Sequence, residues 1–218
     1  MEKVVEIPHR HEIAKFVEKN AKSGDVLYRG SEAKGPYGLP FMKIVSKLTK
    51  SHYTHAATVF WEGDDLMVVE MTDIGTMQYR FIDWLDFCLG GHFALYRLDG
   101  IEESQRLELL THIKSVLAID PSYDYTFADP NKFYCTEFVA WLYNQIGVEI
   151  APPRTILEVV GPKRFWVVSA GNWVYGKLTR GKVCLNTQSP LYYVGNEANG
   201  GLLASKKMIA IVSKNPYH

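Results

Sequence analysis

Apolar residues recur at helical spacing between His9 and Ala21, with Ile13, Phe16 and Val17 on one side, and this pattern predicts a first helix. Ser23-Gly24-Asp25 breaks it, and Val26 to Tyr28 then reads as a short strand. Gly30 to Pro40 is rich in Gly and Pro and reads as a loop, and Phe41 to Leu48 as a short helix. A β-rich block follows. His55 to Trp61 is an apolar run of strand length, Leu66 to Met71 is a second, and the turn from Glu62 to Asp65 predicts a hairpin. Thr76 to Arg80 alternates as a third strand, Ile82 to Phe87 reads as a helical turn, and Phe93 to Leu98 as a further strand. Two longer helices stand out. Ile101 to Ala118 carries Leu107, Leu110, Ile113, Val116 and Leu117 along one side; Phe133 to Ile146 carries Phe138, Val139, Leu142 and Ile146, with Gly147 as its C-cap. Beyond Arg154, short apolar runs mix with Gly and Asn, and Lys182–Leu185, Leu191–Val194 and Lys207–Val212 read as strands. Helices segregate from an antiparallel block, so the expected class is α+β.

The chain has 218 residues, enough for one large domain with an extension and for a core that needs no staples. Lys plus Arg is 24 and Asp plus Glu is 24, so the formal net charge is zero and the overall basic footprint of a nucleic-acid binder is missing. The N-terminus interleaves acidic and basic residues without an apolar core, so no signal peptide is expected, and no apolar run reaches membrane-spanning length. The expected location is therefore cytoplasmic, without stable membrane insertion. The three cysteines, Cys88, Cys135 and Cys184, are too few and too widely spaced for a disulfide framework or a cysteine zinc cluster.

Those three thiols are not equivalent. Cys88 sits among Trp84, Leu85, Phe87 and Leu89 and reads as a small buried hydrophobe, and Cys184 alternates within a strand-like run. Cys135 falls in the first turn of the expected second long helix, where unpaired N–H groups and the helix dipole favour a thiolate. A cysteine nucleophile needs a base, and the base needs an orienting group. His55, at the start of a buried strand, would be held rigidly, and Glu70, at the end of the next strand, comes near it if the two strands pair. His52-x-x-His55 has no third ligand at a recognisable spacing, so neither a metal nor any other cofactor is expected. Gly171 to Lys177 has phosphate-loop spacing, but Leu178 replaces the hydroxyl residue that would hold magnesium, and the segment reads as an aromatic turn.

Six short segments in order then resemble one family. They are Gly24–Arg29, Ser51–Ala57, Val69–Met71, Ala94–Leu98, Tyr123–Phe127 and Phe133–Val139. Together they resemble the permuted papain-like amidases, the YiiX-like branch of the NlpC-type cysteine hydrolases, which are similar to lecithin–retinol acyltransferase-like proteins. The resemblance implies a circularly permuted papain-like fold, an antiparallel sheet or half-barrel packed against helices. It implies Cys135 as nucleophile, His55 as base and Glu70 as orienting group, with Tyr123 and Thr136 on the substrate and oxyanion side. Glu137 matches the family's Cys-Ser/Thr-Glu pattern and also reads as an acidic residue that stabilises a helix start.

The expected organisation is an N-terminal helix over 1–22, a catalytic domain over 23–160, and a β-rich extension over 161–218 packed on the same domain. The expected activity is a cysteine hydrolase that cleaves an amide bond in a peptide or cell-wall-type peptide. The alternatives are a lipid acyltransferase or thioesterase-like enzyme and a non-catalytic binding module. The expected partner is a peptide-like or acyl small molecule, not a nucleic acid.

Overall fold

The computed structural model describes residues 9–30, 46–47, 49, 51–88, 92–124, 129, 131–178, 186–195, 201–203, 205 and 207–212. Most of the helix expected over Phe41–Leu48, the strand expected over Lys182–Leu185, and Cys184 lie outside these residues. A six-stranded antiparallel sheet is built from β1 (Val26–Arg29), β2 (His55–Glu62), β3 (Asp65–Thr72), β4 (Gly75–Arg80), β5 (Phe93–Leu98) and β6 (Met208–Val212). Its order is β4-β3-β2-β1-β5-β6, so the chain returns at its end to supply an edge strand.

Both faces of the sheet are covered, which is why β1, β2 and β3 read as nearly unbroken apolar runs. On one face Val26, Tyr28, Phe60, Val69 and Met71 pack with α3 (Glu103–Ile119) and α4 (Cys135–Gln145). On the other, Leu27, Ala57, Val59, Val68 and Phe93 pack with α1 (Arg10–Asn20) and with Phe81 and Trp84 of the short helix α2 (Phe81–Trp84). A 3-10 turn, Leu85–Phe87, continues α2. Alternation therefore sends the odd residues of β1 and β2 to the α1 and α2 side. Helix α1 buries Ile13, Ala14 and Val17, each worth up to about 1.5–3 kcal/mol when large and fully buried. Phe16, expected among them, is substantially exposed. Helix α4 seats Phe138, Val139 and Leu142 as expected, and Gly147 takes a positive φ of 74° just past its end.

Four expectations give way to the structure. In α3 the buried line is Leu109, Ile113 and Val116, spaced four and three residues apart, and Leu107 turns to solvent. The extension is not β-rich over its first part: residues 162–178 form a helix, α6 (Pro162–Leu178), preceded by α5 (Ile156–Val160). Gly171 to Lys177 is part of α6 rather than a turn: local helix preference there is weak, but no proline interrupts the segment. Leu191 makes only an isolated bridge to Arg154, and β6 is the named strand among the described residues beyond 160.

The turn into β1 depends on Gly24, whose φ of 87° disfavours any side chain. Next to it, the fully buried Asp25 accepts from Arg97 Nε and Nη2 at 2.9 and 2.7 Å and from the Lys22 N–H at 2.8 Å, with Arg106 Nη1 at 3.8 Å. One carboxylate thus ties β1 to β5 and α3. Asp25→Ala leaves two guanidinium groups facing a void, and it is expected to cost about 3–5 kcal/mol in urea unfolding. A loss below about 1 kcal/mol would show that water replaces the carboxylate.

Candidate active site

Strand pairing assembles the first part of the site. In the β1–β2 ladder Arg29 lies opposite His55, and the β2–β3 ladder runs from Glu62↔Asp65 to Thr58↔Val69, which brings Glu70 diagonally across from His55. His55 Nε2 lies 2.7 Å from Glu70 Oε2, and both side chains are buried. Nε2 faces the carboxylate, and the Cys135 thiol is a hydrogen-bond partner of the same ring. Residues 55, 70 and 135, from two strands and a helix start, therefore form one buried chain.

The electrostatics favour an ion pair. Burial pulls the His55 imidazolium down, but Glu70 and a Cys135 thiolate outweigh it and carry the pKa up to about 9. Burial pushes Glu70 up, and His55, Arg29 and the Trp84 N–H together hold it at about 2. Burial likewise opposes the Cys135 thiolate, yet His55 and the backbone N–H groups of Ala56 and Thr136 bring it below the ordinary thiol value. Cys88 has no such donors, and burial drives it well above the thiol range.

Helix α4 starts at Cys135 with Tyr134 as N-cap and no side-chain cap, so first-turn N–H groups stay directed at the thiol side. The Thr136 hydroxyl donates to the Tyr192 carbonyl at 2.9 Å, and the Thr136 N–H reaches Cys135. Tyr123 is half-buried and bridges Phe133, two residues before the thiol, packing against the core. Glu137 accepts the Tyr134 N–H, as a helix-capping carboxylate would; burial first and Asp124 second push its carboxyl up to about 7.

Residues 20–169 match the model of a family described as permuted papain-like amidase enzymes, YaeF/YiiX, the C92 family. The chain belongs to the C92 family of permuted papain-like amidases. Its fold is similar to the crystal structure of the metalloprotein yiiX from Escherichia coli O157:H7, with a TM-score of 0.68 at 19% identity over 90% of this chain and 99% of that one. No curated protein matches the chain. The fold is thus the permuted papain-like one, carried by an antiparallel sheet that does not close into a barrel. The order His55, Glu70, Cys135 along the chain fits a permuted member, since ordinary papain-like chains place the cysteine first. The word metalloprotein belongs to yiiX. Among the described residues of this chain no group of three or more His, Cys, Asp or Glu side chains is arranged to hold an ion, and His55 and Glu70 engage each other.

Sequence reasoning missed two residues of this candidate site. Arg29 Nη2 lies 3.3 and 3.4 Å from the two Glu70 oxygens while Nη1 donates to the Phe87 carbonyl at 3.1 Å, and the guanidinium stands over the Trp84 and Phe87 rings. Trp84 Nε1 donates to Glu70 Oε2 at 2.8 Å. The available signal was an arginine ending the apolar run Val26-Leu27-Tyr28: a charge there needs a buried partner once the strand is internal. Arg29 opposes the imidazolium charge of His55, so Arg29→Met is expected to raise the His55 pKa above about 9. Ring-proton NMR titration checks this, and a fall would mean that Glu70 has swung away from the ring.

Proposed function

We propose that this C92 member is a cysteine amidase acting through Cys135, His55 and Glu70 on an amide bond in a peptide or cell-wall-type peptide. The observation that carries the reading is the buried chain from Glu70 through His55 to Cys135, in which the thiol is lowered and the imidazole raised. A lone buried thiol would shift the other way, as Cys88 does.

In this mechanism the Cys135 thiolate attacks the amide carbonyl carbon. A C–S bond forms and the carbonyl electron pair moves to oxygen. N–H groups at the start of α4 receive that oxyanion, each worth roughly 3–4 kcal/mol, with Tyr123 on the same side. The His55 imidazolium donates its proton to the departing nitrogen as the C–N bond breaks, leaving a thioester and a free amine. Neutral His55 then takes a proton from water, whose oxygen attacks the thioester, and collapse returns the Cys135 thiolate. Glu70 stays ionised throughout and holds the ring in one tautomer.

The test is a panel of peptide amides and acyl lipids with product analysis and intact-mass detection of the acyl-enzyme. The reading expects amine release from peptides and a thioester on the Cys135 peptide. Transfer of acyl chains between lipids without peptide cleavage would replace the peptide substrate, and a site that acylates nowhere would reject the enzyme.

A further inference from the structure

Among its described side chains, helix α6 leaves most of the apolar ones outside the core. Val168 is buried, but Trp166 and Trp173 are 68% and 67% exposed and Val167 and Val174 are 44% and 46% exposed. Each pair is spaced by seven residues, so the tryptophans line up along one strip of the helix and the valines along a neighbouring one. From Phe165 to Gly176 the helix has no charged residue, and its charges stand at its ends, Lys163 and Arg164 at the start and Lys177 in the last turn. Lys177 Nζ lies 5.9 Å from the Trp173 ring centroid. The bias extends beyond the helix. From Val159 to Asn196 the sequence has no Asp or Glu but carries Lys163, Arg164, Lys177, Arg180 and Lys182, in a chain whose total charge is zero.

An uncharged aromatic and aliphatic centre with cationic ends has the chemistry of a lipid interface. Tryptophan settles at headgroup depth, aliphatic side chains reach the acyl boundary, and Lys and Arg meet anionic headgroups. A second copy fits less well, since a symmetric contact through this face would set cation against cation.

The excursion that carries α6 is rooted beside the candidate nucleophile. It leaves at Arg154 and returns at Leu191, whose backbones bond each other at 2.9 and 2.8 Å. The next residue, Tyr192, accepts from Thr136 Oγ1 at 2.9 Å and donates its N–H to Tyr134 Oη at 2.7 Å.

We propose that α6 docks peripherally on an anionic lipid bilayer, seating Trp166 and Trp173 at the headgroup level with the flanking Lys and Arg on the lipid charges. The attachment is interfacial; no described helix is long and apolar enough to cross a membrane. It is independent of the amidase chemistry and holds for a catalytically dead chain as well.

The experiment mixes the full chain with phosphatidylcholine vesicles with and without phosphatidylglycerol, followed by sedimentation and tryptophan emission. Binding to the anionic vesicles alone, with a blue shift and with affinity that falls as salt rises, is expected. Trp166→Ser with Trp173→Ser is expected to weaken binding by at least roughly tenfold. Lys163→Gln or Arg164→Gln is expected to weaken it roughly fivefold each. Circular dichroism of these surface variants checks that they fold. The proposal fails if no vesicle is bound or if the double tryptophan variant binds as the parent does. It also fails if light scattering shows a dimer that the double variant dissolves, or if duplex DNA is bound in place of vesicles.

Discussion

Alanine at Cys135 is expected to abolish turnover while leaving the fold in place. The residue is small and sits at the first position of α4, so its loss removes little packing. It removes the atom that forms the acyl-enzyme, and in sites whose residues act as a unit the loss of the nucleophile costs on the order of 10⁶-fold in turnover. Unchanged circular dichroism with no amine release is the expected pair of readings. Substantial remaining activity would assign the chemistry elsewhere.

Glu70→Gln is expected to have two effects, because Glu70 meets three donors at once: His55 at 2.7 Å, Trp84 at 2.8 Å and Arg29 at 3.3 Å. The first is on turnover. A neutral amide no longer fixes the ring tautomer or stabilises the imidazolium, and losing the equivalent carboxylate in a triad costs on the order of 10⁴-fold. The second is on stability. Arg29 is left buried without its counter-ion, a loss of about 3–5 kcal/mol. The pH dependence separates this variant from a merely loosened one. The Glu70 carboxyl lies at about 2, below its ordinary value, so its stabilisation is complete above the ordinary value and disappears as pH falls through about 2. His55 lies at about 9, above its ordinary value, so its share is complete below the ordinary value and disappears as pH rises through about 9. The stability gap between parent and variant in urea titrations should therefore be widest between those limits and close toward either end. A gap that stays flat with pH would mean that the lost contact is not ionic.

The sheet was largely legible because both of its faces are buried. Val26–Tyr28, His55–Trp61 and Leu66–Met71 carry so few polar residues that only strands of that length fit them, and the Gly63-Asp64 turn announces the hairpin. That hairpin is also why Glu70 could be tied to His55 from spacing alone. For Arg29 the sequence offered a charge at the end of an apolar run but not its partners: that it meets Glu70 and Trp84 depends on β1 inserting between β2 and β5, a long-range pairing that no local pattern announces. Leu107 misled because a leucine-rich helix offers more than one apolar line, and packing selects between them. Helix α6 was masked by its glycines, Gly171 and Gly176, and by its valines, which lower local helix preference. The balanced net charge had a similar effect: it spoke against a nucleic-acid partner while concealing the one-signed stretch from Val159 to Asn196.

The central claim is that His55 and the start of α4 hold Cys135 as a thiolate. The rate of carboxamidomethylation at each cysteine, followed by peptide mass spectrometry across pH, tests it most directly. Cys135 is expected to reach half its maximal rate below the ordinary thiol pKa of about 8.5, with Cys88 lagging at every pH, and His55→Ala should move the Cys135 midpoint upward. A Cys135 midpoint at or above the ordinary value, unchanged in the His55 variant, would contradict the account.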